Sequence, residues 1–600
     1  MSRYWFVLVT LLSVILGLWF SALGLENQAN ISWGVGTTFG FYFSAIWLFA
    51  AIKRRELGSD VLALLSISAT ALTNEWLAAG IIALMLSTGR ALERWAEGRA
   101  SKHLDALISR VPQSAHLYTT SGETRDVSLT DVQLKSRVLV RSGEVVPLDG
   151  ILEAEGLFDE SALTGESMPV WKKAGTEVDS GVVNVGNPVT LVTSTTTETS
   201  TYANLIRLVS SAKQQAAKGV RIANVWATRF VPIALFITLG TWLITQDTNQ
   251  AVAVLVAATP CPLILAVPVA IVAGISRSAK AGVIIKDGIA VERLAQAEVV
   301  ILDKTGTLTE GGTQITQSFF SPSADSKEIL MLAASLEQQS ANVVGRAIVS
   351  YAKSLNLNLL TATNVVEAHG HGLSGVINGK AITVGAPTAE LPEWANLTSD
   401  LAVQITLDND PVGFLGLSDP IRAESFSTVS KLKELGVKRI LIVSGDRKTT
   451  VDSVAKTLGV SESFAECTPT QKLEILKAEQ SSSKGSVLVV GDGINDAPAL
   501  AASDVGIAMG ARGTTAASQA ASVVIVEDSI RRLTSAIAIS KVSRKRALQA
   551  STIGMAFALV AMLFAAFGYL SASEAAIAQE FIDASSIIWA LVGSSRIISV

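Results

Sequence analysis

Eight apolar runs, candidates for crossing a bilayer with the third and fourth the weakest, frame this chain: about 4–24, 33–52, 60–75, 76–96, 229–247, 250–275, 548–570 and 576–593. A spanning helix needs roughly 20 predominantly apolar residues. Two long polar blocks, about 103–220 and 278–540, interrupt the series. Hydrophobic residues make up 49% of the 600 and charged residues 17%, with a mean hydropathy of +0.43. That balance excludes a disordered chain and fits poorly with a fully soluble one. Thr73, Asn74 and Glu75 interrupt the third and fourth runs. The triplet reads as a tight hairpin outside the membrane; the alternative is one long buried helix.

Positive charge sets the expected orientation. Lys53, Arg54 and Arg55 follow the second run, Arg90, Arg94, Arg99 and Lys102 follow the fourth, and Lys541, Arg544, Lys545 and Arg546 precede the seventh. The opposite loops, Glu26 to Ser32, Gln246 to Asn249 and Ser571 to Glu574, contain no Lys or Arg. Eight alternating spans therefore place both termini and both polar blocks in the cytoplasm. The first run, preceded by Arg3, also resembles a signal peptide, whose removal would leave seven spans. Forty-eight basic against 52 acidic residues give a net charge of −4, so no basic excess points to nucleic acid. Two cysteines, Cys261 and Cys467, make no disulfide framework, and the lack of a CxxC pair excludes a zinc ribbon or soft-metal carrier domain.

The second polar block carries the strongest chemical signal. Val299 to Leu302 is a short apolar run, read as a buried strand, and it ends on Asp303-Lys304-Thr305-Gly306-Thr307. A carboxylate on a tight turn at a strand's carboxyl edge lies where open α/β sheets bind ligands, and it can attack a phosphoryl group. Thr305 and nearby N–H groups can hold phosphate oxygens. Two further runs end alike: Arg439 to Val443 enters Ser444-Gly445-Asp446, and Ser486 to Val490 enters Gly491-Asp492-Gly493-Ile494-Asn495-Asp496. Convergence of such ends fits a magnesium and phosphate site, with Asp492 supplying a hard oxygen ligand and Lys472 a point charge. Alone, each Asp is an ordinary turn residue.

These residues resemble the P-type ATPases, specifically the heavy-metal-transporting members. Asp303 to Thr309 is similar to their phosphorylation motif, Thr164-Gly165-Glu166-Ser167 to their actuator motif, and Gly491 to Pro498 to their magnesium hinge. The resemblance implies a multidomain membrane protein with an eight-helix transmembrane bundle, a β-rich actuator domain, a Rossmann-like α/β (HAD-type) phosphorylation domain and an inserted α+β nucleotide-binding domain. The expected boundaries are 1–102 for the first four membrane helices, 103–220 for the actuator and 221–277 for the next membrane pair. The phosphorylation domain takes 278–314 and 418–540 around the nucleotide-binding domain at 315–417, and 541–600 forms the last pair. The resemblance implies ATP and Mg²⁺ as cofactors. It implies Asp303 as nucleophile, Lys304, Thr305, Asp446 and Lys472 around the phosphate, and Glu166, with Thr164 and Gly165, positioning water. Mg²⁺ is expected at Asp303, Thr305, Asp492 and Asp496. For nucleotide contacts it implies Glu337, Gly370, Gly372, Thr307 and Gly445. Asn342 stands where metal-pumping members carry a histidine, and its side chain can hydrogen-bond but not titrate as His does. His369 and His371 lack a third ligand and are not read as a metal site.

Run six holds Thr259-Pro260-Cys261-Pro262, with Pro268 beyond. Prolines around one cysteine unwind a helix and free carbonyls, which is tolerated at membrane depth where a cavity is lined. A membrane Cys is often a packing residue, but relatives carry Cys-Pro-Cys or Ser-Pro-Cys here. One thiolate instead of two disfavours copper(I) and suits a divalent nickel, cobalt, iron, zinc or cadmium ion. Glu580 and Asp583 lie three apart, on one face of the final span; Cys261, Thr259, Asp583 and Glu580 form the expected ion path. Because the chain starts almost directly on run one, the ion is expected from the cytosol or a cytosolic donor protein. The reading is ATP-driven export of such an ion, with a copper pump, an alkali-ion pump, a membrane-anchored phosphatase and a metal sensor as rivals.

Overall fold

The computed structural model describes residues 5–53, 60–100, 114–118, 123–159, 169–201, 203, 207, 221–258, 261–322, 324–340, 342–368, 372–387, 392–397, 401–492, 496–510 and 516–592. They fall into two compact units. One comprises Met1–Glu298, Ser483–Leu488 and Asp504–Val600; the other comprises Val299–Ser482 and Val489–Ser503.

The first unit contains the apolar helices Trp5–Ala22, Glu26–Lys53, Asp60–Leu72, Trp76–Ala100, Arg221–Thr245, Thr248–Ala257, Cys261–Lys280, Arg531–Ala566 and Ala572–Val592. Among the described residues, Trp5–Ala22 and Arg531–Ala566 are long and apolar enough to cross a membrane, and the apolar stretches Leu62–Leu72, Trp76–Gly89, Arg229–Thr245 and Thr248–Ala257 are shorter. Their core is apolar, and so is much of their exterior, unlike that of a water-soluble protein. Small residues such as Ala253, Ala257, Ala558, Ala565 and Ala576 fill the interior, while Ile15, Trp19, Phe236, Phe557 and Phe581 are exposed. Small residues let helix backbones approach closely, and a broad apolar exterior suits lipid.

Two breaks have local causes. The Asp60–Leu72 helix ends at the polar triplet, with Asn74 at φ 60° turning the chain into Trp76–Ala100. Run six is two helices: one stops at Ala257 and the next starts at Cys261. Residues 259–260 lie outside the described residues, and Pro262 falls in the first turn of Cys261–Lys280, where proline's missing N–H costs no helical hydrogen bond. Leu255, in the last turn before the break, accepts a hydrogen bond from Ser66 Oγ at 3.2 Å.

The same unit carries a β-rich body. Six strands run in the order Thr124–Ser128, Ser114–Tyr118, Arg137–Val140, Val189–Thr193, Gly150–Leu152 and Glu177–Val178. Three more run Val170–Lys172, Gly156–Asp159, Val183–Asn184. Alternating burial along Val189–Thr193 is the mark of a strand with one face in the core. The buried Asp149 clamps the body: it accepts from Ser180 N at 2.6 Å, Thr201 N at 2.8 Å and Thr195 Oγ1 at 3.1 Å. The antiparallel pair Gly156–Asp159 and Val170–Lys172 brackets the loop holding Thr164, Gly165 and Glu166, which lie outside the described residues.

In the second unit, Ala297–Leu302 pairs in parallel with Arg439–Val443, and that strand with Glu462–Phe464. Both leading strands are almost wholly buried, which matches their continuous apolar sequences. Between Ala297–Leu302 and Arg439–Val443 the chain builds a six-stranded antiparallel sheet, ordered Gln314–Phe320, Asp410–Ser418, Leu401–Leu407, Lys380–Gly385, Gly372–Ile377 and Thr363–Ala368. Helices Ser326–Glu337 and Val343–Ser354 share a core with it through Leu332, Leu336, Ile348, Leu373, Ile405 and Leu415.

Candidate active site

Asp303 stands at the end of Ala297–Leu302, its N–H bonded to the Val490 carbonyl of the neighbouring strand at 2.9 Å. The chain then turns sharply at Gly306, φ 71°. Only glycine fits: a Cβ there would overlap the Asp492 carboxylate, and positive φ is strained for other residues. The turn is clasped from behind. Thr309 Oγ1 donates to Asp419 Oδ2 at 2.5 Å, Gly311 N donates to Asp419 Oδ1 at 2.9 Å, and Arg422 Nε donates to the Thr309 carbonyl at 2.8 Å.

Three carboxylates meet in front. Oxygens of Asp303, Asp492 and Asp496 lie within 4.8 Å of one another. Lys472 Nζ bridges two of them, 2.6 Å from Asp303 Oδ1 and 2.7 Å from Asp496 Oδ1. Its position follows from local sequence. Thr468-Pro469-Thr470-Gln471 forms a capping box in which Thr468 N donates to Gln471 Oε1 at 2.9 Å and Gln471 N donates to Thr468 Oγ1 at 3.3 Å. That starts helix Pro469–Ser482 and presents Lys472 from its first turn. Beside this group, Asp446 Oδ2 accepts from Lys304 Nζ at 2.8 Å, Thr305 Oγ1 at 2.9 Å and Ser444 Oγ at 3.0 Å.

The electrostatics set two carboxylates apart. Burial and the nearby Asp496 push Asp303 up to about 7, against the pull of Lys472. Burial opposes charge on Asp446 too, but the Lys304 and Thr305 donors outweigh it and hold its pKa below the usual range. For Lys472, burial disfavours the ammonium, yet Asp303 and Asp496 prevail and hold its pKa above the ordinary lysine value. Two carboxylates sharing one ammonium with a third alongside make a site short of positive charge. Such an oxygen set fits Mg²⁺, which takes oxygen ligands and associates with phosphate.

Thus Asp303, Lys304, Thr305, Asp446, Lys472, Asp492 and Asp496 come together, and Gly445 lies in the turn beside Asp446. Thr307 is fully buried, with no hydrogen-bond partner for its hydroxyl among the described residues. Glu337 is buried at the end of Ser326–Glu337. Asn342 serves the backbone, since its Oδ1 accepts from Gly345 N at 2.7 Å and caps helix Val343–Ser354. Gly372 has φ 112°, and a Cβ would strike the Val384 carbonyl. Gly370 and Thr259 lie outside the described residues; Cys261 is the first residue of Cys261–Lys280. In the last helix, buried Asp583 accepts from Gln579 Nε2 at 3.0 Å, and Glu580 Oε1 accepts from Thr88 Oγ1 at 2.8 Å. Sequence reading missed the roles of Asp419, Arg422 and Thr88.

A haloacid dehalogenase-like hydrolase family model matches residues 297–504, and a P-type ATPase actuator domain model matches residues 109–210. The chain belongs to the P-type ATPases. It is 32% identical over 526 residues to a copper-exporting P-type ATPase of Vibrio cholerae serotype O1, covering 82% of this chain and 56% of that one. It is 28% identical to a protein of Alkalihalophilus pseudofirmus named "Probable cadmium-transporting ATPase", covering 87% of this chain and 75% of the relative. The chain therefore spans a little over half the length of the copper-exporting P-type ATPase. A crystal structure of a zinc-transporting PIB-type ATPase in an E2.Pi state superposes with a TM-score of 0.68, at 27% identity, over 99% of this chain and all of that one. As a P-type ATPase, the chain has the actuator and HAD-like parts expected of it.

Proposed function

We propose that this P-type ATPase couples ATP hydrolysis to export of a divalent transition or heavy-metal cation across the cytoplasmic membrane. The observation that carries the reading is the meeting of Asp303, Asp492 and Asp496 around Lys472. An Asp303 oxygen attacks the terminal phosphorus of ATP, the bond to the bridging oxygen breaks, and ADP leaves with that electron pair. Lys472 and Lys304 offset charge on the phosphoryl oxygens, and Thr305 donates to them once released from Asp446. Mg²⁺, held by Asp303, Asp492 and Asp496 with Thr305 beside them, would neutralise the transferring group. Glu337, Thr307, Gly370, Gly372 and Gly445 serve the nucleotide, and Glu166, on the loop of Thr164 and Gly165, orients the water that hydrolyses the ester.

The cation passes between Cys261, Thr259, Asp583 and Glu580. The buried Asp583 and the helix restart at Cys261 support that path. One sulfur with oxygen donors favours nickel, cobalt, iron(II), zinc or cadmium; the zinc-transporting structural neighbour and the cadmium-transporting relative agree in class. Copper is the second reading, favoured by the copper-exporting relative. Eight spans with both termini cytoplasmic follow from the charge pattern.

The test is ATP hydrolysis by the purified full chain across divalent metals and copper(I), repeated with Cys261→Ala. Stimulation by a divalent ion that Cys261→Ala removes supports the reading. Stimulation by copper(I) alone favours the second, and unstimulated cleavage of simple phosphate esters would revive a phosphatase.

A further inference from the structure

We infer that Thr88 is a positioning residue for the transported ion, holding the Glu580 carboxylate in the orientation that receives it; this rests on the reading of Glu580 as part of the ion path. Thr88 lies on Trp76–Ala100 and Glu580 on Ala572–Val592, 492 positions later in the chain. Their 2.8 Å contact competes with local alternatives. Thr88 Oγ1 also lies 2.9 Å from the Leu84 carbonyl and 3.0 Å from that of Met85, both in its own helix. A hydroxyl has one proton to donate. When Thr88 serves Glu580 it forgoes its own backbone, and when it turns back the carboxylate loses its donor.

Glu580 has little else to rely on. Among the described residues Thr88 is its hydrogen-bond donor, and Glu580 Oε2 is buried without a partner. A carboxylate oxygen left bare at membrane depth is costly, and a cation on it removes that cost. Asp583, one turn further along the same face, is buried and accepts from Gln579. The Thr88 side is anchored: neighbouring Ser87 Oγ lies 2.8 Å from Thr10 Oγ1 of Trp5–Ala22. The fourth helix is thus tied to the first by Ser87 and to the last by Thr88. A Ser-Thr pair in an apolar helix otherwise reads as local backbone bonding.

The experiment measures metal-stimulated ATP hydrolysis by the full chain for zinc, cadmium, cobalt and nickel in Thr88→Val, Thr88→Ser, Glu580→Gln and the Thr88→Val/Glu580→Gln pair. Phosphorylation by inorganic phosphate serves as the check that each variant is folded. Thr88→Val is expected to raise the half-saturating metal concentration about tenfold, the scale of a lost hydrogen bond to a charged group, with kcat within about twofold. Thr88→Ser should restore the wild-type value, and the pair should bind metal no more weakly than Glu580→Gln alone. A shift in Glu580→Gln with none in Thr88→Val, or additive shifts in the pair, overturns the role of Thr88 and leaves the ion path standing. No shift in Glu580→Gln overturns both.

Discussion

Lys472 donates to Asp303 across 2.6 Å and, through the same nitrogen, to Asp496 across 2.7 Å. One ammonium thereby ties Asp303, at a strand end, to Asp496, the N-cap residue of helix Ala497–Ala502, two carboxylates that would otherwise repel. Both members of the Lys472–Asp303 pair are only 11% exposed, so solvent does little to screen them.

Lys472→Ala is expected to leave an uncompensated cluster of buried carboxylates. Removing one partner of a buried pair costs about 3 kcal/mol. Removing a charge aimed at the transferring group costs about 100-fold in rate. Thermal melts and phosphoenzyme formation at pH 8 check both. The stability loss should shrink near pH 5, where Asp303 is protonated.

Asp303→Asn should stabilise the Mg²⁺-free protein at alkaline pH. Because Asp303 is raised to about 7, the folded chain binds its proton more tightly than the unfolded chain. The stability this adds is complete below the ordinary carboxylate range and is lost as pH rises through about 7. Asparagine imitates the neutral form at every pH. Melting curves from pH 5 to 8.5 should therefore diverge, with the variant ahead at the alkaline end; parallel curves contradict the assignment.

Gly306→Ala should separate site from fold. The new methyl meets the Asp492 carboxylate at a positive φ, costing about 1 kcal/mol in backbone strain. Phosphorylation should fall at least about tenfold, the scale of a misplaced reacting group. Gly312→Ala is the control, since its Cβ would meet nothing within 4 Å; it should leave phosphorylation unchanged.

The strand-end carboxylates were legible because a continuous apolar run ending in acid carries both its burial and its direction in sequence. The break at Cys261 was legible for a similar reason: proline acts on its own backbone. Contacts made by folding were not. Thr305 reaches Asp446 across 141 positions and Thr309 reaches Asp419 across 110, with no local pattern to mark either. Asn342 shows the opposite hazard. Set against the histidine of its relatives it reads as an altered nucleotide contact, yet its side chain caps a helix.

Asn342→Ala should therefore cost about 1 kcal/mol of stability through the lost cap, and Asn342→Asp should retain it. Thermal melts read the cap, and the KM for ATP reads the nucleotide. A raised KM in both variants with unchanged melting would contradict capping as the main role of Asn342.

Covalent labelling of the purified chain by ATP carrying radioactive γ-phosphate, with Mg²⁺ present, tests the role of Asp303 most directly. The wild type should take up acid-stable, hydroxylamine-labile label, and Asp303→Asn should take up none. Undiminished, hydroxylamine-labile label in Asp303→Asn would contradict an aspartyl phosphate at this position.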